Sequence, residues 1–273
     1  MTREEIYASI YTHEEIYRPP QEDSSACLEV ALGCSWGKCK FCDFAKDKFQ
    51  IHPMSKIEWN LRMLGRLEPE KTRLFFLGEN AFVLSFEQLS KIIEMTHTFM
   101  PNIREFSMYA RIDDVLRKTP EELKKLREMG ICDLHIGVES GSDPILLMMN
   151  KGVSSFDMIQ AFKKLDDAGI GYYITIILGL GGKDYRNLHA LETARLLNRL
   201  HPKCIWALKL KVWENTPLEK IYPYDQLSNP VRGKDASGIS DPDGLLLYGH
   251  YRYGPLYHSR IPPRRKRSDA AND

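Results

Sequence analysis

The sequence predicts an α/β protein whose parallel strands form a partial, open barrel of the TIM type. Short apolar runs rich in β-branched and aromatic residues alternate with helical patterns, the order typical of a parallel sheet or barrel. Six strand–helix units are too few for a closed eight-stranded barrel and fit an open (βα)6 barrel. The 273 residues are 43% hydrophobic and 27% charged, an ordinary globular composition that excludes disordered and fibrous classes.

Six apolar runs are predicted to be strands. They cover residues 27–32, 73–77, 105–110, 133–138, 172–178 and 205–212. Polar residues alternate with apolar ones in several of them: Phe106 and Met108 share one face of the third strand, and Ser107 and Tyr109 share the other. A sheet covered by helices on both faces has unbroken apolar strands. The alternation therefore predicts a barrel interior that holds a ligand instead of packed side chains, with a solvated sheet face as the alternative.

Three polar residues on these strands are predicted to be buried: Arg111, Glu139 and His135. Burial without partners would cost on the order of several kcal/mol for each, so a ligand or water is expected to satisfy them. An ion pair between Arg111 and Glu139 on neighbouring strands is the alternative. We interpret His135 as a core histidine with its own partners, not as a catalytic residue.

The helices are predicted from their caps and their apolar spacing. Residues 55–58 and 85–88 form capping boxes, and Thr119 precedes a proline at the first helical position. Gly130 and Gly169 are predicted C-terminal stops. Apolar residues at helical spacing define the buried faces, namely Ile57, Leu61 and Leu64; Leu123 and Leu126; Phe156, Ile159 and Phe162; and Leu188, Leu191 and Leu200.

The chain is predicted to consist of an N-terminal extension (1–26), a core domain (27–220) and an irregular or disordered tail (221–273) rich in proline and glycine turns. The net charge of +1 provides no field that attracts nucleic acid or anionic membrane. No segment approaches the roughly 18 apolar residues of a membrane span, and the first residues lack a signal peptide's features. We expect a cytoplasmic protein with neither a membrane nor a nucleic acid as partner.

Three cysteines lie within nine positions, directly after the first predicted strand: Cys34, Cys39 and Cys42. Barrels of this class place their chemistry at the carboxyl ends of the strands. Three thiolates can hold three irons of a [4Fe-4S] cluster, which leaves the fourth iron open to a cofactor. The spacing therefore indicates an iron–sulfur site.

The same spacing, C-x4-C-x2-C, begins the motif of plant-type [2Fe-2S] ferredoxins, and structural zinc sites also use cysteine pairs. Both alternatives need a fourth ligand. The remaining cysteines are poorly placed for that role, because Cys27 lies within the first predicted strand and Cys132 and Cys204 open later strands at the opposite end.

The segment 33–42 (GCSWGKCKFC) resembles the cluster loop of radical S-adenosylmethionine (radical SAM) enzymes of the Elp3/MiaB/NifB-like core type. The resemblance runs from about residue 17 to residue 218. Further segments resemble that group in the same order, namely 74–83, 109–111, 137–142 with 150–152, and 178–182. The superfamily's commonest spacing has three residues between the first two cysteines and this chain has four, a variant similar to other sequences of the group.

The resemblance implies that Cys34, Cys39 and Cys42 bind a [4Fe-4S] cluster whose free iron chelates S-adenosylmethionine (SAM). Reductive cleavage of SAM would then give a 5′-deoxyadenosyl radical that acts on an unidentified substrate. A low-potential electron donor such as flavodoxin or ferredoxin is implied as a partner. Two alternatives remain open: an iron–sulfur electron carrier or structural metal protein, and a core that has lost catalytic completeness because the region after about residue 218 departs from the group's pattern.

The resemblance also implies which residues bind the cofactor. Phe41 would lie beside adenine, Gly78 and Glu79 would receive the methionyl ammonium, and Lys151 would pair with the methionyl carboxylate. Polar and glycine residues at other strand ends complete the implied set, which consists of Ser107, Tyr109, Arg111, Glu139 and Gly179. No catalytic residue for the substrate reaction is identified.

Overall fold

The computed structural model describes residues 2–44, 47–214, 216–221, 251–252 and 258–260. The strands are β1 (Glu15–Tyr17), β2 (Ala26–Glu29), β3 (Ala31–Leu32), β4 (Gln50–Ile51), β5 (Arg73–Leu77), β6 (Glu105–Ala110), β7 (Ile131–Glu139), β8 (Gly171–Leu178), β9 (Cys204–Lys209), β10 (Tyr251–Arg252) and β11 (His258–Arg260). The helices are α1 (Arg3–Ile10), α2 (Met54–Leu67), α3 (Phe86–Phe99), α4 (Ile112–Arg117), α5 (Pro120–Glu128), α6 (Asp143–Met148), α7 (Ser155–Ala168), α8 (Arg186–Leu197) and α9 (Pro217–Ile221). Short 3-10 helices cover Pro20–Glu22 and Ala81–Val83.

The main sheet is parallel and has the strand order β10-β9-β8-β7-β6-β5-β2. Within the described residues its two edges, β2 and β10, are not paired with each other, so the sheet is open. This confirms the predicted fold class. The six predicted strands form the wall, and the two-residue strand β10 adds to the edge beside β9. Two small antiparallel pairs, β1 with β11 and β3 with β4, lie outside it.

Four of the six predicted strands have different bounds in the structure, and for two of them the difference exceeds two residues at one end. The run 27–32 divides at Val30: β2 pairs with β5, whereas β3 pairs with β4. The chain changes partner there, since Val30 N donates to Leu77 O at 3.3 Å and Val30 O accepts from His52 N at 2.9 Å. The sixth strand ends at Lys209 instead of residue 212.

The caps at Ser85 and Thr119 are confirmed as full capping boxes, and Gly169 ends α7 with a left-handed φ of 71°. The capping box predicted at 55–58 is wrong. Helix α2 begins at Met54, two residues before the start that a cap at Ser55 implies, and the carbonyl of Pro53 accepts from Ile57 N at 3.1 Å. The φ of Pro53 is −57°, which suits a helix start without a side-chain cap.

The outward faces of the strands pack against the helices in one hydrophobic core. Its helix side includes Ile57, Leu61, Leu64, Leu89, Ile92, Leu123, Leu126, Met158, Phe162 and Leu165. Phe156 was predicted to join this face, but it is 66% exposed. It lies in the first turn of α7, whose buried positions begin at Met158. No helix among the described residues is both long and apolar enough to cross a membrane.

The inward face is filled by aromatic rings at mid-height of the barrel. His135 stacks on Tyr173 with ring centroids 4.8 Å apart, and Phe75 meets Tyr109 edge to face at 5.3 Å. His135 also contacts the rings of Phe75 and Tyr109. The expectation of a ligand instead of packed side chains is therefore wrong for this layer. Any ligand site lies above it, at the carboxyl ends of the strands.

The N-terminal extension packs on α2. Tyr7 Oη donates to Glu68 Oε1 at 2.7 Å, and Asn60 Nδ2 donates to Ile10 O at 3.0 Å. The predicted tail lies largely outside the described residues; its described part beyond α9 consists of β10 and β11.

Candidate functional site

The cysteine loop connects β3 to β4 at the carboxyl end of the barrel. Cys34, Cys39 and Cys42 are all partly buried, and Cys42 N donates to Cys39 O at 3.2 Å. Two glycines shape the loop. Gly33 has φ of 67°, and a β-carbon there would lie 2.5 Å from the carbonyl oxygen of Asp47. Gly37 has φ of 58° and turns the chain within the four-residue spacing between the first two cysteines.

The loop is fastened to the segment that follows α6. Trp36 Nε1 donates to Asn150 O at 2.8 Å, and Asn150 Nδ2 donates back to Lys38 O at 3.0 Å. Lys40 N donates to Met149 O at 3.0 Å. Three hydrogen bonds therefore hold the middle of the loop against a segment more than a hundred residues away in sequence.

Asn80 connects the loop to the ends of β5 and β6. Its side chain is fully buried. Nδ2 donates to Ser35 Oγ at 2.8 Å and to the carboxylate of Asp114, and Oδ1 accepts from Arg111 N at 3.1 Å. The amide thus satisfies backbone and side-chain groups from three elements at once.

Glu79 has an unusual environment beside this hub. Gly78 before it has φ of 126° and lies so close to β3 that a β-carbon would be 3.0 Å from Ala31 O. The Oε2 atom of Glu79 is buried and has no hydrogen-bond partner. Burial raises the pKa of Glu79, and the nearby carboxylate of Asp47 raises it further.

Arg111, Glu139 and Lys151 come together, but not as predicted. Arg111 Nε donates to Asp113 Oδ1 at 2.9 Å and its Nη2 donates to Lys151 O at 3.1 Å. Lys151 Nζ pairs with Glu139 Oε1 at 3.1 Å, and Thr175 Oγ1 donates to Glu139 Oε2 at 3.2 Å. The alternative of an Arg111–Glu139 ion pair is wrong, and so is the expectation that only a ligand or water satisfies these groups.

The backbone of Glu139 is strained. Its φ of 64° is rare for a residue with a β-carbon, and the β7–β8 register shifts between Gly137 and Glu139. The bulge places the carboxylate at the strand end, beside Lys151.

The other predicted site residues lie on separate elements of the barrel. Ser107 and Tyr109 lie on the inward face of β6, and the Oγ of Ser107 is buried without a partner. Burial raises the pKa of Tyr109. Phe41 packs against a second, smaller apolar cluster formed by Ile145, Met149, Ile177, Leu180 and Leu218. Gly179 has φ of 90°, so its backbone accounts for the glycine; a β-carbon would meet only Leu210 at 3.7 Å.

The family model of the Radical SAM superfamily matches residues 28–194. This range covers well over half of the chain and includes the cysteine loop, Glu79, Arg111, Glu139 and Lys151. The chain belongs to the radical SAM superfamily.

Two curated relatives match the chain at less than 30% identity. The chain is 27% identical over 174 residues to the heme chaperone HemW of Bacillus subtilis (strain 168), a match that spans 60% of the chain and 45% of HemW. It is 26% identical over 229 residues to the uncharacterized protein MJ0486 of Methanocaldococcus jannaschii, which spans 80% of the chain and 68% of that protein. The chain thus matches less than half the length of HemW.

Solved radical SAM structures share the fold. Coproporphyrinogen III oxidase (HemN) of Escherichia coli, a radical SAM enzyme, superimposes with a TM-score of 0.60 at 14% identity, covering 87% of this chain and 54% of HemN. The radical SAM methyltransferase TsrM of Kitasatospora setae gives 0.59 at 14% identity, covering 72% of this chain and 38% of TsrM. At such identities the similarity shows a common fold and nothing finer.

Membership in the radical SAM superfamily implies a [4Fe-4S] cluster and SAM as cofactors, and the residues present fit both. The three thiols are the ligands that such clusters use. Burial raises the pKa of Cys39, and the nearby cations of Lys151 and Arg111 offset part of that rise. The unpartnered Oε2 of Glu79 is an acceptor suited to an ammonium group. Among the described residues, no three His, Cys, Asp or Glu side chains are grouped closely enough to hold a single metal ion.

The sequence alone did not identify several residues that hold this radical SAM site together. Asn80 reads as a turn residue after a strand, and Ser35, Trp36 and Asp114 have no spacing that marks them. The positive φ of Asn150, 53°, is typical of asparagine, which tolerates the left-handed region better than other residues with a β-carbon.

Proposed function

We propose that this radical SAM protein binds a [4Fe-4S] cluster through Cys34, Cys39 and Cys42 and cleaves SAM reductively, so that a 5′-deoxyadenosyl radical acts on an unidentified substrate. The observation that carries the proposal is the buried carboxylate oxygen of Glu79, which has no partner and lies beside the cysteine loop. When bound, the cluster supplies the electron that breaks the sulfonium bond of SAM.

Glu79 receives the methionyl ammonium of SAM. The buried Oε2 of Glu79 lacks a donor, which is costly, and an incoming ammonium both supplies that donor and returns the pKa of Glu79 toward its usual range. Gly78, the residue before Glu79, lets the backbone of this turn pack directly against Ala31 of β3. Phe41, Ser107, Tyr109 and Gly179 are assigned to the adenosyl side only as proposals from the resemblance.

Lys151 and Arg111 provide positive charge for the methionyl carboxylate of SAM. Lys151 is already paired with Glu139, so a methionyl carboxylate at this point would share the ammonium with that residue. Arg111 donates a hydrogen bond to the backbone carbonyl of Lys151 and so keeps the lysine in place. We therefore assign Lys151 to carboxylate binding, Glu139 to orienting Lys151 and the ribose, and Arg111 to positioning.

The aromatic layer of Phe75, Tyr109, His135 and Tyr173 closes the interior below the site. Packed rings exclude water from the amino-terminal side. The layer would shield a radical formed above it from water that enters on the amino-terminal side.

The electron donor proposed is a flavodoxin or ferredoxin. We also propose a cytoplasmic location, because partly buried cluster-binding thiols remain reduced in a reducing compartment.

The test is anaerobic. The chain is reconstituted with iron and sulfide, reduced with dithionite and given SAM, and 5′-deoxyadenosine is quantified by chromatography. The wild type is expected to bind about four irons and four sulfides per chain and to form 5′-deoxyadenosine. The variant C34A/C39A/C42A is expected to do neither.

The matched control is C27A/C132A/C204A, which removes the same number of thiols from positions outside the loop. It is expected to retain the cluster and the product. A fully loaded four-iron protein that forms no 5′-deoxyadenosine would contradict SAM cleavage and favour a core without catalytic completeness. If the wild type binds two irons or one zinc per chain and the control variant loses that metal, the electron-carrier or structural-metal alternative is favoured.

A second candidate function is haem binding, which the similarity to a heme chaperone favours. Titration of the reconstituted protein with hemin would show a Soret shift that saturates at one equivalent if haem is a ligand, and a featureless linear rise if it is not.

A further inference from the structure

We propose that Trp36 is the positioning residue of the cysteine loop: it seats the loop on the turn formed by residues 149–152 so that the thiols are arranged for cluster binding before iron arrives. The proposal rests on the proposed cluster function but concerns residues that do not ligate iron. Its basis is the set of contacts that the Trp36 indole makes.

The extra residue between the first two cysteines creates the need for such an anchor. Four residues separate Cys34 from Cys39, and Gly37 turns the chain between them. A longer connection between two ligands has more conformations, and restricting them costs free energy when the cluster binds. A side chain that fixes the connection beforehand removes that cost.

The Trp36 indole occupies a recess beside Gly152. Its Nε1 donates to Asn150 O at 2.8 Å. A β-carbon at Gly152 would lie 2.5 Å from the Trp36 ring, so only glycine leaves room for it. Gly152 has φ of 80° and Asn150 has φ of 53°, which turns the backbone so that the Asn150 carbonyl and the Gly152 recess both face the indole.

The indole also orders two cations near the thiols. The guanidinium of Arg111 lies 5.3 Å from the ring centroid and the Lys38 ammonium 5.0 Å from it. Arg111 in turn donates to Lys151 O, next to Asn150. The Trp36 ring thus belongs to the cysteine loop and contacts both the turn of residues 149–152 and Arg111, whose charge acts on Cys39.

Removing the ring should loosen the loop without unfolding the barrel, because the hydrophobic core contains neither Trp36 nor Gly152. The variants are Trp36→Phe, which keeps an aromatic face and loses the N–H donor, and Trp36→Leu, which loses both. The control is Trp59→Leu, a half-exposed tryptophan on α2 outside the loop.

The first readout is iron release from the reconstituted protein to a ferrous chelator under argon. Trp36→Leu is expected to release iron about 10-fold faster, the size typical for residues that support metal ligands. Trp36→Phe is expected to fall between it and the wild type, and Trp59→Leu to match the wild type. The melting temperatures of the apo proteins identify any variant whose iron loss merely follows unfolding.

The second readout needs no cluster. The apo protein is treated with iodoacetamide, and the alkylation rate of each cysteine is followed by mass spectrometry. Trp36→Leu is expected to accelerate Cys34 and Cys39 several-fold and to leave Cys132 unchanged, since Cys132 lies at the opposite end of the barrel. This readout separates the two proposals, because a wild type that binds no cluster would refute the proposed function while the alkylation rates still decide the role of Trp36.

The recess gives a third, independent test. Gly152→Ala places a β-carbon in the ring's position and should accelerate Cys39 alkylation in the wild-type background. In the Trp36→Leu background the same substitution should add less, because the ring it displaces is gone and only the backbone strain at φ 80° is left. Equal alkylation of all Trp36 variants and the wild type, or fully additive effects of the two substitutions, would overturn the proposal.

Discussion

Two glutamates at opposite ends of the barrel, Glu22 and Glu79, differ in how their buried oxygens are hydrogen-bonded. At the amino-terminal end, Glu22 is fully buried and accepts hydrogen bonds from Arg73, Ser25 and His135. At the carboxyl end, Glu79 keeps a buried oxygen without a donor. The comparison teaches that the chain satisfies both oxygens of Glu22 at the amino-terminal end and leaves one oxygen of Glu79 without a donor at the end proposed to bind a cofactor.

The amino-terminal network is centred on Arg73. Its guanidinium donates to Glu22 through two nitrogens, at 2.7 and 2.9 Å, and also reaches Glu105 at 2.8 Å and Asp133 at 2.9 Å. Lys203, which directly precedes β9, also pairs with Asp133. The hydrogen bonds and charges of these cations lower the pKa of Glu22 and of Asp133 despite the burial that opposes it.

The largest effect is expected from Arg73→Met, which leaves the carboxylate of Glu22 buried without its main cation and that of Asp133 with Lys203 alone. The free energy of unfolding should fall by about 3–5 kcal/mol, measured by urea denaturation. The control Arg62→Met removes an exposed pair with Glu58 and should cost under about 1 kcal/mol. Similar losses in both variants would contradict the contrast between the ends.

Acid titration should show the next largest effect, at Glu29. This carboxylate accepts from His52 at 2.7 Å and from Thr12, and these partners, with Lys56, overcome burial and lower its pKa from 4.5 to about 2. Because the folded pKa is depressed, the stabilisation is complete above pH 4.5 and is lost as the pH falls toward 2. The shift corresponds to about 3 kcal/mol at most.

Unfolding free energies measured at several pH values should therefore fall more steeply in this window for the wild type than for Glu29→Gln. Parallel pH profiles for the two proteins would show that Glu29 is not held as the structure describes.

Glu79→Gln should weaken SAM binding by about 10-fold, since an amide replaces a charged acceptor for the ammonium. Stability should not fall, because the lost oxygen has no partner in the protein. Calorimetric titration with SAM under argon measures the first, and urea denaturation the second. Glu94→Gln, exposed on α3, is the control. A destabilised variant with unchanged SAM affinity would reverse the assignment of Glu79.

Binding of SAM by the wild type should also depend on pH. Since burial raises the pKa of Glu79, acidification protonates it earlier than an ordinary glutamate, and SAM affinity should decline as the pH falls through that raised value. In Glu79→Gln this decline should be absent.

The smallest effect is expected from Thr119→Ala, which removes the side-chain cap of α5. The loss should be about 1 kcal/mol, with SAM binding and iron content unchanged. This variant sets the scale for a purely local defect and distinguishes it from damage to either end.

The wall of the barrel was predictable because its signals are local. The runs that became β5 and β6 were found to the residue, since apolar alternation and flanking turns coincide there. The division at Val30 was not visible, because it depends on which strand the backbone pairs with. Phe156 fits the helical period by spacing, but the first turn of α7 projects beyond the core.

The candidate site was predictable in its members and not in its pairings. The resemblance named Glu79, Arg111, Glu139 and Lys151, and the structure brings the last three together. Which of them pair is decided by distances across strands and by the bulge at Glu139, and neither is encoded in a spacing. Asn80 was missed because a short amide in a turn looks the same whether it faces solvent or joins three elements.

The recess at Gly152 ties together two positions that lie far apart in the chain. Any residue larger than glycine there would occupy the space of the Trp36 ring, so neither position is free to mutate alone. A descendant that replaced the tryptophan would remove the steric contact at position 152, but the φ of 80° there would still favour glycine. The cysteine loop and the segment after α6 are therefore expected to be inherited as one unit and to fail when loops are exchanged singly between related proteins.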